Sequence, residues 1–505
     1  MNTIFLVSSF TAATSIATSD ATTPRLISWI LQNNGGMNAK AGVSADGLRG
    51  LVVERAANVG DVLLEVPLSL CISDGDAELT PLPEAAPSWA WELPWNVQLA
   101  VAVLERRSKH PKPDPFLDSW PDLPPPLPTT SDATELALAS DPSLAQKADE
   151  AFFWLDEQYW KAREAAAAHR NLDPADAACF VTEGAFRDAM ELVWSRCLRI
   201  TADAEHGVRR VLVPLLDLAN HEACPSAMYA YSNGATCGPA IRLHAAKPLE
   251  PGDAITITYG EHTSMHFALY YGFVPSTNPS DCITMSLGDI LATLPPALLG
   301  DGPPDGLASA AHAALEKRGY DADTQLELYE RAPSAHLLDI LAELLPGGDR
   351  AACEALACAC AAVERALWGY SATTLLALDA EAQAGVAADE ALLTKADEAA
   401  TLDAGAITPG ETNSELLTDR GQVLVRLRLA RRRLLASLRR TLVDTASTLK
   451  KNKTTADVVI NALKSSAQLP AVYPAFDQLP LEELEVWATR AWDWEHDRWK
   501  GSEEL

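Results

Sequence analysis

The 505-residue chain is predicted to be an α+β protein: a strand-rich region split by a helical insertion, followed by an all-helical C-terminal domain. Three observations predict this. Turn-bracketed runs rich in β-branched residues form two blocks, at about 47–67 and 211–259. Between them, from about 135 to 197, the apolar spacing is helical. After about 281 Leu and Ala dominate and strand signals vanish, with Gly, Pro and Asp breaks at 300–305, 346–349 and 404–410. The expected divisions are 1–23, 24–280 with its insertion at about 75–195, and 281–505.

Each element has a local reason. Residues 1–23 hold an apolar patch, Ile4-Phe5-Leu6-Val7, among Ser, Thr and Ala without a basic start, which fits either a disordered tail or a targeting leader. A short helix begins near Leu26. Gly47-Leu48-Arg49-Gly50-Leu51-Val52-Val53 is a glycine-bracketed turn entering a strand, and Val59-Gly60-Asp61 turns into a second strand, Val62 to Val66. Residues 94–107 suit a helix with Pro94 in its first turn and Val97, Ala100, Val101 and Leu104 on its apolar face. The eight prolines in 111–128 forbid a helix, and Phe116 and Trp120 there are expected to be exposed. Val211 to Leu218 reads as a short or edge strand containing Pro214, and Ala240 to His244 as another. The Pro251-Gly252-Asp253 turn then leads into a strand from Ala254 to Tyr259.

Composition narrows the function classes. Forty Lys and Arg against 69 Asp and Glu leave a formal charge of −29, which repels phosphate backbones and argues against nucleic-acid binding. It favours encounter with basic protein partners and keeps the chain soluble. No stretch reaches the ~18 apolar residues that span a membrane. An intracellular monomer is expected, with cytoplasm and chloroplast both open. Nine cysteines without framework spacing read as reduced thiols, and Cys353, Cys358 and Cys360 as small core residues on a helix. His262 and His266 have metal-compatible spacing but lack a third ligand, so no metal is expected. The dense run Arg426, Arg428, Arg431, Arg432, Arg433, Arg439 and Arg440 accompanies an apolar stripe of Leu424, Leu427, Leu434, Leu435 and Leu438. Arg426, Arg433 and Arg440 are then expected to face away from that stripe, solvated or paired with acids.

Two segments carry chemistry. Pro214-Leu215-Leu216-Asp217-Leu218-Ala219-Asn220-His221 ends an apolar run on a polar pair, and Ile255-Thr256-Ile257-Thr258-Tyr259-Gly260 ends a β-branched run on a Tyr-Gly pair. Tyr270-Tyr271-Gly272-Phe273 follows. Strand ends bearing donors and acceptors suit a polar ligand beside a phenol. Any one of these residues alone would read as a turn cap or a core aromatic.

Together with the split strand region and the helical tail, these motifs resemble the SET-domain methyltransferases, in the branch of the Rubisco large-subunit lysine methyltransferase. The resemblance covers about 24–280, and more loosely the helical remainder. It implies an S-adenosylmethionine-dependent protein-lysine N-methyltransferase, whose partner is a protein bearing a target lysine and whose helical C-terminal domain binds substrate. It further implies that Gly47, Leu48 and Arg49 lie along the cofactor. Arg196 would reach cofactor and substrate, Asn220 and His221 would hold the cofactor's two ends, and Asp217 would face the substrate. Tyr259 would be the active-site tyrosine and Tyr271 the aromatic closing the methyl-transfer channel. The chain departs from the pattern at Arg49 in its Gly-Leu-Arg-Gly-Leu turn. It departs again at Ser264-Met265-His266-Phe267, where relatives carry Ser-Asn-Ala-Glu. A histidine methyltransferase of the same fold and an inactive binding module are the alternatives. Leu198 beside Arg196 gives an apolar lining that favours lysine.

Overall fold

The structure, a computed structural model, describes residues 22–44, 48–74, 86–109, 114–120, 125–171, 182–201, 208–235, 238–299, 304–319, 325–403, 417–451 and 456–466. Residues 1–21 and Gly47 lie outside these, so the readings of the N-terminal segment and of that glycine do too. Backbone contacts divide the described residues into two units, 22–129 with 149–260 and 130–148 with 261–466.

The first unit is built on three small sheets. One runs in the order Gly36–Met37, Val62–Pro67, Gly238–Ala245, Ala227–Ala235, antiparallel throughout. A second runs Ala39–Val43, Arg49–Val53, Ala254–Ile257, Asn220–His221, and only its last pairing is parallel. The third is Ile72–Ser73, Val208–Leu212, Leu198–Thr201. β-Branched and leucine-rich runs fill the interior, with Leu63, Leu64, Val66, Ile241 and Leu243 buried. The helix Trp95–Lys109 buries Val97, Ala100 and Val101 as expected, and Leu99 and Val103 as well, while Leu104 is half-buried.

Two local expectations are corrected. Phe116 and Trp120 are buried, at 0% and 3% exposure. The prolines keep the segment out of a helix, but Asp114 folds it inward. Its carboxylate accepts the Phe116 and Leu117 N–H groups at 2.9 and 3.1 Å and pairs with Arg106 at 2.6 Å. The apolar run 211–218 is a strand only to Leu212. Pro214 offers no N–H to a ladder, Leu215 takes a left-handed φ of 69°, and Leu216–Leu218 is a 3₁₀ turn. The strand at 254 likewise ends at Ile257, two residues before Tyr259.

The second unit is predominantly helical, as expected of the C-terminal region, with one addition: an antiparallel strand pair, Cys282–Ser286 with Gln325–Tyr329. Its core includes Cys353 and Cys360 on the helix Gly348–Trp368, where burial pushes the Cys360 thiol up to about 12. The helix Asp419–Lys451 buries Leu424, Leu427, Leu434, Leu435 and Leu438, the expected stripe. Its arginines pair with acids: Arg426 with Asp397, Arg428 and Arg432 with Asp389, Arg433 with Glu390. Arg431 reaches Asp141 at 2.9 Å and Arg428 donates to the Leu138 carbonyl at 2.7 Å, two further ties between 130–148 and the rest of this unit. Arg439 is buried outright, between Glu364 at 2.6 Å and Asp379 at 2.8 Å. Among the described residues, no helix is long and apolar enough to cross a membrane, and no three His, Cys, Asp or Glu side chains cluster to hold a metal ion.

Candidate active site

The central strand Ala254–Ile257 explains why distant motifs meet. Ile255 pairs with Leu51 on one side, while Thr256 and Ile257 pair with Asn220 and His221 on the other. That antiparallel register sets Ile257 level with Arg49, so Leu48-Arg49, the Asn-His pair and Tyr259 lie at the same end of the sheet.

Side chains then cross-link these segments. The Asn220 Nδ2 donates to the Arg49 carbonyl at 3.0 Å. A Cβ on Gly50 would stand 2.6 Å from that amide nitrogen and 3.3 Å from the Leu218 carbonyl, so a side chain here would displace the Asn220 amide from the position that makes this bond. Leu48 is held one residue earlier, its carbonyl accepting from the Ser44 N–H at 2.9 Å. The His221 Nδ1 accepts the Tyr259 N–H at 3.1 Å, which puts the proton of a neutral ring on Nε2. The Tyr259 hydroxyl donates to the Ala219 carbonyl at 2.8 Å. Gly260 follows with φ 124°, a left-handed backbone that explains the Tyr-Gly pairing.

The charged part of the site pairs a half-buried arginine with a buried aspartate. Arg196, the last residue of the helix Glu183–Arg196, meets the Asp217 carboxylate at 3.1 Å and the Asp217 carbonyl at 3.3 Å through its Nη1. The Trp120 indole N–H donates to the same carboxylate oxygen at 3.0 Å. Burial pushes the Asp217 carboxyl above its ordinary range, outweighing the opposing pull of Arg196. Asp217 has a fully buried side chain that acts on Arg196. Burial also pushes the Tyr259 phenol up to about 12, against the pull of Arg196. Leu198, just past Arg196, is buried at the start of its strand.

Solved structures share this architecture. The SET domain of LSMT bound to methyllysine and AdoHcy superposes with a TM-score of 0.54 at 16% identity, over 86% of this chain and 96% of that one. The chain has the SET-domain fold. The same LSMT domain bound to lysine and AdoHcy gives 0.53 at 15% identity, over 86% and 92%. Rubisco LSMT bound to AdoMet gives 0.53 at 16%, over 87% and 97%. No family model and no curated protein matches the sequence.

Within the SET fold, Leu48, Arg49, Arg196, Asp217, Asn220, His221 and Tyr259 all belong to the first unit, where Arg49 meets Asn220, Tyr259 meets His221, and Arg196 meets Asp217. Tyr271 belongs to the second. It ends the helix Ser264–Tyr271, which Thr263 caps at one end and Gly272 at the other, and packs with Phe267 at 5.6 Å and Phe273 at 6.4 Å. The departure at Met265 leaves this helix intact. Met265 is buried, and Asp281 accepts the Ser264 N–H at 2.8 Å. Trp120, Gly50 and the Ala219 carbonyl are the participants that sequence reasoning missed. A tryptophan beside an Asp114 that can fold its own loop was the available signal for the first.

Proposed function

We propose that this chain is an S-adenosylmethionine-dependent protein-lysine N-methyltransferase, with a catalytic region at about 24–280 and substrate bound by the helical C-terminal region. The observation that carries the reading is the Tyr259 hydroxyl fixed on the Ala219 carbonyl, beside the Asn220–Arg49 link, in a fold shared with structures bound to AdoMet and to lysine. The fit to the cofactor rests on the polar Asn220-His221 end, where the Asn220 amide lies over Gly50 and holds the Arg49 carbonyl. When bound, the cofactor supplies an electrophilic methyl group on a sulfonium.

The chain's residues would do the rest. Methyl transfer to an amine needs the reacting atoms held about 3–3.5 Å apart and in line. Because the Tyr259 proton points to the main chain, the phenol oxygen presents lone pairs that can accept from the incoming amine and from a polarised methyl. A phenol pushed up to about 12 is neutral at pH 7, so Tyr259 orients and does not act as a base. The lysine, whose free pKa is ~10.4, must lose its proton to solvent before it attacks, because an ammonium has no lone pair. Burial in the site pushes it that way by disfavouring the ammonium form. Tyr271 keeps its proposed role as the channel aromatic.

Two measurements test the reading. Calorimetry should show S-adenosylmethionine binding, and a folded protein without that affinity overturns the enzyme assignment. Incubation with methyl-labelled cofactor and a lysate, followed by mass spectrometry, should find methyl-lysine. Label on histidine instead would favour the histidine methyltransferase alternative.

A further inference from the structure

Two donors converge on one oxygen of a fully buried carboxylate. The Trp120 indole N–H and the Arg196 Nη1 both reach Asp217 Oδ2, at 3.0 and 3.1 Å. The other oxygen, Oδ1, is buried and meets no donor of another residue among the described residues. Buried polar atoms are ordinarily partnered, because a bare one costs its full desolvation. Asp217 is thus fastened by one oxygen while an acceptor stays unused on the other.

Packing accounts for the Trp120 ring but not for its donor. The ring is buried edge-on to Phe116 at 5.3 Å, with the Arg107 guanidinium 5.9 Å from its centre. A buried indole N–H needs an acceptor, and a main-chain carbonyl serves: in the same unit Trp91 gives its N–H to the Ala86 carbonyl at 2.9 Å. Trp120 instead takes a carboxylate 97 residues away. A donor on a carboxylate strengthens when the group is ionised, so Trp120 favours the form that burial opposes. Arg196 favours it as well, and the Tyr259 phenol, neutral at pH 7, is the other titratable group acting on Asp217.

We infer that Trp120 is a positioning residue: with Arg196 it anchors Asp217 by Oδ2, and so keeps Oδ1 as the acceptor for an N–H of the bound substrate. The role given to Oδ1 rests on the methyltransferase reading. The tie between the Trp120 N–H and the Asp217 carboxyl does not, and it is measured separately.

The probe is the carboxylic-acid C=O stretch of Asp217 in the infrared, followed against pH in the full chain and identified by its loss in Asp217→Asn. Two changes remove the Trp120 N–H. One is Trp120→Phe; the other is the benzothienyl analogue of tryptophan at position 120, which keeps the bicyclic ring and carries sulfur in place of the N–H. The pH at which the band appears should move up by about one pH unit in both, the effect of losing one hydrogen bond to an ionised group. The sulfur analogue keeps the packing, so an unmoved band there would reduce Trp120 to a packing residue and overturn the inference. The second readout separates cofactor from substrate. In both variants calorimetry should find S-adenosylmethionine affinity within about threefold of the parent, while transfer of labelled methyl groups to a lysate should fall by about tenfold or more, as for a displaced positioning group. Unchanged transfer despite a moved band would take Oδ1 out of substrate binding and overturn the inference. A parent that binds and transfers nothing would instead fail the methyltransferase reading, with the moved band still establishing the tie between Trp120 and Asp217.

Discussion

The hydroxyl of Tyr259 donates to the carbonyl of Ala219 at 2.8 Å, and Ala219 directly precedes the Asn220-His221 pair. One hydrogen bond thus sets the phenol's proton and ties it to the segment proposed to hold the cofactor.

Replacing Tyr259 with Phe removes that bond and little else. Stability should fall by about 1 kcal/mol, the net worth of an ordinary hydrogen bond. Methyl transfer should fall by about a hundredfold, the scale for losing one preorganised oriented group. Cofactor affinity by calorimetry should stay within about twofold, a change near 0.4 kcal/mol. Full transfer activity in this variant would remove Tyr259 from the mechanism.

The same residue predicts an alkaline effect. Folding favours the neutral phenol, whose folded pKa is raised to about 12 from the ordinary value near 10. Its contribution to stability is therefore complete below pH 10 and is lost as pH rises towards 12. Between those values the melting temperature of the parent protein should fall more steeply than that of Tyr259→Phe. Parallel curves would contradict the burial of this phenol.

Gly50→Ala should cost about 1–3 kcal/mol, as overpacking does, because its Cβ would press on the Asn220 amide at 2.6 Å. It should also weaken S-adenosylmethionine binding. Adding Asn220→Ala should restore part of the lost stability by removing the clashing amide, without restoring the affinity. Denaturant titration and calorimetry of the single and double variants separate the two effects.

In the second unit, Arg439→Ala should destabilise by about 3–5 kcal/mol, since it strands the buried Glu364 carboxylate. Arg439→Met with Glu364→Leu should be milder than Arg439→Ala alone, because the two buried charges leave together and the remaining Asp379 is partly exposed to water. Guanidinium titration of the two variants checks the order.

Much of this was readable along the chain because it depends on neighbours in sequence. The helix Trp95–Lys109, the leucine stripe on Asp419–Lys451 and the strand Val62–Pro67 all follow from local period and turn chemistry. The Asn-His and Tyr-Gly pairs were visible as polar ends to apolar runs. Trp120 was not, because its burial depends on Asp114 folding a proline-rich segment inward and on an Asp217 almost a hundred residues away. The arginine run could be read as paired or solvated, but which arginines lie buried depended on where Asp141, Glu364 and Asp389 stand in space.

The sequence by itself determined the α+β class, the positions of the two chemical motifs and the resemblance that names their chemistry, since these rest on residue type and short-range spacing. Tertiary structure decided how the motifs work together. The register of Ala254–Ile257 against strands from both ends of the first unit brings Arg49, Asn220 and Tyr259 to one sheet end. The missing Cβ of Gly50 leaves room for the Asn220 amide that holds the Arg49 carbonyl. Sheet pairing joins residues two hundred positions apart, and such long-range hydrogen bonds leave no period in the chain from which to read them.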